Sequence, residues 1–313
     1  MPVTYIITST NIPNNFIPDR AVECGPDTSI VCLNTSPDET AFVESGGNEI
    51  TGIDNQIFTT VKTPFALDQT NAGIAICPIT GIIYIYVRAT NYIELYSSAD
   101  GFNTYEPVGA ESGLIPYADI VCDENGIVHL TWISPAGTEL RYANSSDWAT
   151  ITNVCIDGPH YTCRIAATIA DPAVVYIAWS GQKAADAFYR PYLANSSNWA
   201  AHTALDDNTR SISNTGIALA VDNSGNTRVV WSRDDGGTYW DLYESINAAA
   251  RNLITASTTH NRIPYLSVEV ISAADDNFLL LWHSSFPTVS SDFKVVYAKA
   301  VGTGNMGAPT ILL

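Results

Sequence analysis

Ten side chains in this sequence have the types and settings to grip a small polar ligand: Arg20, Arg88, Tyr117, His160, Tyr161, Arg164, Arg210, His260, Arg262 and Tyr265. Each lies in a polar, aromatic-rich segment that leads into or out of an apolar run. Gln182, Lys183, Asp207, Arg233, Asp234, Asp235 and His283 stand in segments of the same kind. Arginine is concentrated there although the chain holds only 14 Lys and Arg. A planar guanidinium fork suits a carboxylate, and an imidazole can both donate and accept. Aromatic edges would stack on the apolar face of a sugar. The alternative reading is that connecting segments are polar in any globular protein.

Catalysis would need more than such a set. A glycoside hydrolase works with two facing carboxylates. Asp19, Asp68, Asp207 and Asp235 are available, but no spacing selects a pair. The histidines, His129, His160, His202, His260 and His283, form neither His-x-His nor His-Glu-x-x-His, and no Cys-x-x-Cys occurs. No metal centre is expected from that pattern. Phosphate loop, nucleophile elbow and dinucleotide fingerprint are missing too, so no cofactor is expected. His129 alternates within a strand pattern and reads as structural. Cys24, Cys77 and Cys122 close equivalent apolar runs and read as small core residues. Cys155 and Cys163 flank Asp157-Gly158-Pro159 and are close enough in sequence to bridge a loop. Asn34-Thr35-Ser36, Asn144-Ser145-Ser146 and Asn195-Ser196-Ser197 fit the glycosylation sequon and are read as turns.

Charge narrows the partners. The chain of 313 residues carries 32 Asp and Glu and a formal net charge of −18. Binding to a nucleic-acid backbone needs Lys and Arg at the contacts, so no nucleic-acid partner is expected. An anionic membrane surface is disfavoured for the same reason. The start, Met-Pro-Val-Thr-Tyr-Ile-Ile-Thr-Ser-Thr, lacks a basic segment and a long apolar segment. No stretch approaches the ~20 apolar residues of a membrane helix, so no membrane insertion is expected. The expected setting is a virion or the extracellular space without a classical signal peptide, with the cytoplasm also open.

The elements that must position these residues come from a repeat. Asp119–Trp132 and Ile217–Trp231 each hold an apolar run, a polar turn with Gly, and a second run closing on Trp. Similar first runs end at Cys24, Cys77, Cys122, Ile169, Val221 and Ile271, roughly 50 residues apart, the size of a propeller blade. Second runs end at Trp132, Trp179, Trp231 and Trp282, with Asn34 and Val87 in the first two units. Third runs carry Phe42, Tyr96, Tyr142, Tyr192, Tyr243 and Tyr297. Fourth strands are expected near residues 56–62, 105–108, 148–154, 199–205, 253–257 and 309–313. Asn247–Asn252 is the one candidate turn of helix. Short Val-, Ile-, Tyr- and Thr-rich runs between turn signals define an all-β chain. The spacing predicts one domain, 1–313: a six-bladed β-propeller of four-stranded antiparallel blades, approximately 10–64, 65–113, 114–158, 159–208, 209–257 and 258–313. The run Val3–Ser9 lies outside these units and is expected to close the ring.

Ser98-Ala99-Asp100-Gly101-Phe102-Asn103-Thr104-Tyr105 resembles the Asp box of sialidase-like (BNR repeat) propellers, with the Gly shifted and Tyr for Trp. The Asp box is structural in that family, so the resemblance implies a fold. Arg262-Ile263-Pro264 looks like the family's Arg-Ile-Pro motif but stands in the sixth unit. The resemblance implies a carboxylate-gripping arginine trio, for which Arg20, Arg164 and Arg262 are available. No Glu stands beside a loop Tyr at the expected place; Glu94 and Glu244 read as strand residues. The expectation is a non-catalytic binding or structural propeller. Its setting would be a virion tail, fibre or spike, recognising a cell-surface glycan or a partner protein of the virion. The alternatives are a sialidase-like or other glycoside hydrolase, and a multivalent six-bladed lectin. Six-bladed fucose-binding lectins resemble the chain in length and blade count.

Overall fold

Each copy of the repeat folds as an antiparallel hairpin, because its two apolar runs are joined by residues that favour a tight reversal. The computed structural model describes residues 21–22, 30–33, 39–43, 49–54, 57–62, 72–77, 79–89, 92–99, 106–112, 117–168, 172–207, 209, 212–222, 224–234, 240–255, 266–272, 277–284, 294–308 and 310–311. The described strands form six antiparallel sheets. The first holds β1 (Ala21–Val22), β2 (Ile30–Leu33), β3 (Glu39–Val43), β4 (Glu49–Asp54) and β5 (Ile57–Lys62). The second holds β6 (Ala72–Ile76), β7 (Ile83–Ala89), β8 (Tyr92–Ser98) and β9 (Glu106–Ser112). The third holds β10 (Ala118–Cys122), β11 (Val128–Ile133), β12 (Leu140–Asn144) and β13 (Asp147–Cys155). The fourth holds β14 (His160–Ala167), β15 (Val175–Gly181), β16 (Arg190–Asn195) and β17 (Thr203–Ala204). The fifth holds β18 (Ile212–Val221), β19 (Thr227–Asp234), β20 (Trp240–Ile246) and β21 (Asn252–Thr255). The sixth holds β22 (Leu266–Ser272), β23 (Asn277–Ser284), β24 (Lys294–Val301) and β25 (Thr310–Ile311).

Spatial order follows sequence order in every sheet. The first sheet has an unexpected strand, β4, paired with β3 on one side and β5 on the other. Its Glu-Ile-Thr-Gly-Ile-Asp sequence is a weak strand signal, and pairing on both edges supplies what propensity does not. The candidate helical turn is instead a reversal between β20 and β21, with Asn247 and Ala248 both left-handed (φ 53° and 57°). The run Val3–Ser9 and most of the Asp-box-like segment, residues 100–105, lie outside the described residues.

Turn chemistry repeats from sheet to sheet. Ile76 faces Ile83, Cys122 faces Val128, Ala167 faces Val175 and Val221 faces Thr227. The next residue donates its amide across each turn: Cys77 to Ile82 O, Asp123 to Ile127 O, Thr168 to Val174 O and Asp222 to Asn226 O, at 2.9–3.0 Å. Side chains cap three of these turns. Asp123 accepts from the amides of Asn125 and Ile127, Thr168 from Val174, and Asp222 from Asn226. Cys77 is therefore the counterpart of Asp123, one position beyond the place it was expected to share with Cys122. The Asn-Ser-Ser segments are turns, as read. Ser145 Oγ accepts the amide of Val128 at 2.9 Å and Ser196 Oγ that of Val175 at 3.0 Å, pinning each third-to-fourth turn to the start of a second strand. Asn247 Oδ1 does the same for Thr227 at 2.8 Å. His129 is a satisfied structural histidine, bonded to Tyr142 Oη at 2.8 Å and to Asp123 at 3.1 Å.

The core lies between sheets. Successive first strands run side by side: β6 beside β10, β10 beside β14, β14 beside β18, β18 beside β22. Facing sheets bury Ile120 with Tyr86, Ile165 with Ile133, Leu219 with Ala178, and Leu280 with Val230. This is the radial packing of a β-propeller. Trp132, Trp179 and Trp231 each turn toward the preceding sheet. Tyr192 and Tyr243 stand opposite Trp179 and Trp231 and stack on them, ring centroids 5.4 and 6.2 Å apart. Tyr142 breaks this series. It faces Thr131 and not Trp132, and one residue of offset sends its ring to the other face, against Trp199 in the connection between β16 and β17.

A buried charge pair locks the fifth sheet to the sixth. The Arg228 guanidinium is fully buried, bonded to Glu244 on the neighbouring strand and to the carbonyls of Gly302 (3.0 Å) and Gly304 (2.7 Å). It lies over the Phe278 ring, and Glu244 also accepts the Met306 amide. Glu244 is a strand residue, as the sequence indicated. Removing one partner of such a pair strands the other charge in the core. Arg228→Ala is expected to cost about 3–5 kcal/mol in denaturant unfolding. The double change Arg228→Met with Glu244→Leu is expected to cost clearly less than either single truncation.

Candidate functional site

Among the described residues, segments that enter first strands and segments that join second to third strands meet on one edge of the third, fourth and fifth sheets. Backbone bonds lace this edge. The His160 amide donates to Gly137 O at 2.7 Å, Gln182 to Pro159 O at 3.0 Å, and Ile212 to Tyr189 O at 3.1 Å. Gly158 is left-handed (φ 97°), and a Cβ there would stand 1.9 Å from Gln182 O. Only glycine allows this approach of segment 156–159 to segment 182–189.

At the seam between the fourth and fifth sheets, three guanidiniums and two carboxylates converge. The Asp206 carboxylate is buried and accepts from Trp231 Nε1 (3.1 Å), Arg233 Nη1 (3.0 Å) and Arg251 Nη1. Its carbonyl accepts from Arg190 Nε at 2.9 Å. Asp207 pairs with Arg233 Nη2 at 3.0 Å and Arg251 Nη2 at 2.7 Å. Thr209 Oγ1 bridges Arg233 and Asp207. The Arg233 and Arg251 guanidiniums lie 5.7 and 5.1 Å from the Tyr243 ring centre, which supports both cations. Asp206 is the inner anchor, while the Asp207 side chain is 45 % exposed and Arg251 27 %. At the same seam Tyr189 packs on the core and meets Tyr161 edge to face at 4.7 Å, their hydroxyls 3.1 Å apart, and the adjoining Phe188 is exposed. Half-exposed rings can stack on an apolar face, and an outward carboxylate and guanidinium can bond hydroxyls.

The other face of the fourth sheet is closed. His160 begins β14 opposite Gly181, where a Cβ would stand 2.6 Å from His160 Nδ1. Lys183 Nζ bonds His202 Nδ1 at 2.7 Å and lies over Tyr192, while His202 Nε2 bonds Val154 O. Tyr192 Oη donates to Asp186, which also pairs with Arg190 at 3.1 Å. Burial, then the nearby Lys183 and His202, push His160 down to about 4. It is a neutral, buried imidazole and presents nothing to solvent.

Of the sequence-predicted residues, Tyr161 is brought to the seam. Tyr117 does precede β10, but its carbonyl accepts the Ile133 amide and its ring packs on the core between the third and fourth sheets. His160, Tyr161 and Arg164 were expected in a connecting segment and lie in β14. The left-handed Gly158 completes the turn early, so pairing starts at His160. Arg164 is mid-strand, opposite Ala178, and donates to Cys163 O at 3.2 Å. Arg88 likewise belongs to β7, opposite Ile93. Arg20, Arg210, His260, Arg262 and Tyr265 lie outside the described residues. Cys155 and Cys163 are both free and buried, so they form no bridge. Asp207 and Arg233 stood in segments the sequence marked. Asp206, Phe188, Tyr189, Arg190 and Arg251 were missed, although Phe188-Tyr189-Arg190 and Asp206-Asp207 flank two short strands with the composition of a sugar site.

The radial sheets make the molecule a β-propeller, and comparison with solved structures agrees on that fold. The BP39L lectin of Burkholderia pseudomallei superposes with a TM-score of 0.62 at 10% identity, over 88% of this chain and 81% of that one. The SapL1 lectin, solved with alpha methyl fucoside, gives 0.52 at 11% identity over 93% and 97%. A GH74 xyloglucanase of Xanthomonas campestris gives 0.57 at 12% identity over 88% of this chain and 45% of that enzyme, so the chain spans less than half of it. No family model and no curated protein matches the sequence.

His160 makes the fold sensitive to acid. Its folded value near 4 lies below the ordinary 6.5, so between those limits the unfolded chain binds a proton that the folded chain refuses. Its contribution is complete above pH 6.5 and falls away as the pH drops toward 4, by roughly 3 kcal/mol in all. Unfolding followed across that window is expected to show this slope, and His160→Gln to flatten it.

Proposed function

We propose that the protein is a carbohydrate-binding β-propeller without catalytic activity, holding a sugar at the seam between the fourth and fifth sheets. The observation that carries this reading is that one seam holds both the Tyr161–Tyr189 pair, with exposed Phe188 adjoining it, and the Asp207–Arg251 rim. Rings take the apolar face of a pyranose, and the charged rim bonds its hydroxyls. The BP39L and SapL1 lectins, the latter solved with a fucoside, share the architecture and support the reading.

We further propose a closed ring of six blades with the boundaries read from the repeat, completed by the N-terminal strand, and with more than one site. The six similar sheets support the multivalent form. A virion or extracellular setting is part of the proposal, and the acidic composition and the degenerate repeats support it.

Titration against a glycan array followed by calorimetry tests the site. A neutral or acidic glycan is expected to bind, and Phe188→Ala or Asp207→Ala to weaken it by about tenfold or more, the loss typical of a central contact. Binding that survives both changes would move the site elsewhere. Release of sugar from aryl glycosides or a sialoside would replace the binding reading with a hydrolase.

A further inference from the structure

The offset of Cys77 has a chemical result. Cys122 ends β10, and alternation puts it on one face with Ala118 and Ile120, toward the second sheet. Cys77 stands one position past the corresponding strand end, so it shares a face with Ala75 and points toward the third sheet. Had the two been equivalent, both would point the same way around the ring. Instead the thiols meet across the seam in hydrogen-bond contact, with Tyr84 beside them.

The pair lies just under the surface. Above it are the two hairpin turns, 79–81 and 123–126. Gly126 is left-handed (φ 81°), and a Cβ there would stand 3.4 Å from Cys77 Sγ and 3.7 Å from Ile79 Cδ1. Ile79 itself is 63 % exposed, an apolar side chain on the short reversal that follows Cys77. Cys155 and Cys163 have no such position. Both sit in the core between the third and fourth sheets, and burial pushes both thiols up. For Cys77 burial also acts upward, but hydrogen bonds with Thr80, the Ile79 backbone and the Cys122 thiol outweigh it and hold the thiol below its ordinary value.

We propose that Cys77 and Cys122 form a thiol–disulfide exchange site that takes small-molecule disulfides and closes into a disulfide joining the second and third sheets. The Cys77 thiolate attacks one sulfur of the incoming disulfide, and the other sulfur leaves as a thiolate with the bonding electrons. The Cys122 thiol gives up its proton and attacks Cys77 Sγ in the mixed disulfide, expelling the second thiolate. Two protein thiols are oxidised, one external disulfide is reduced to two thiols, and the two protein protons end on them.

Reduced protein exposed to oxidised glutathione, then alkylated and peptide-mapped by mass spectrometry, tests this site. The intact mass is expected to fall by two hydrogens, with one cross-linked Cys77–Cys122 peptide and with Cys155 and Cys163 still alkylated. Cys77 is expected to react at least about tenfold faster than either of those core thiols. In Cys122→Ser the same treatment should stop at a stable glutathione adduct on Cys77. First reaction at Cys155 or Cys163, a cross-link from Cys77 to another cysteine, or full alkylation of both Cys77 and Cys122 after long exposure would each overturn the proposal. The experiment on the unaltered chain is decisive even if a variant folds poorly.

Discussion

A sheet with two apolar faces has no interior of its own. The described sheets bury their faces against their neighbours, second on third, third on fourth, fourth on fifth and fifth on sixth, and the structure depends on that mutual cover. Parity along a strand decides which neighbour a side chain meets, because alternate residues leave by opposite faces. Trp179 and Tyr192 obey one parity and stack together; Tyr142 obeys the other and reaches Trp199. The same parity turns two cysteines that look equivalent in sequence into a facing pair.

The few cations are committed with unusual consistency. In a chain of formal charge −18, each arginine with a resolved position near a seam is anchored to a carboxylate or a backbone carbonyl. Arg228 fastens one seam internally, while Arg190, Arg233 and Arg251 gather at the next and bring two carboxylates with them. The first arrangement is sealed and the second opens at its rim through Asp207 and Arg251. Burial thus separates a structural use of the guanidinium from one that can face a ligand, although the residues involved are the same.

Much of this architecture was legible in the sequence. The spacing of Trp132, Trp179 and Trp231 and the Gly-containing turns marked the hairpins, since those positions answer to local rules of alternation and reversal. The register of Tyr142 and Cys77 was not legible, because an offset of one residue leaves composition unchanged and is set by turn hydrogen bonds. The strand β4 escaped for a related reason, its pairing being supplied by neighbours and not by its own residues. The site was half legible. Asp207 and Arg233 stood in segments whose polarity marked them, but Arg251 reaches the rim from the far end of its hairpin across the Tyr243 ring. Only three-dimensional crossing brings it there.

The Arg228–Glu244 pair also depends on residues far along the chain. Every sheet pairs neighbours in sequence, so contacts within a sheet close short loops. The carbonyls of Gly302 and Gly304 lie 74 and 76 residues from Arg228, and the Met306 amide lies 62 from Glu244. Until that segment docks, the pair has an open side. Burying this charge is therefore a long-range closure, whose entropy cost falls on the seam between sheets and not on either sheet.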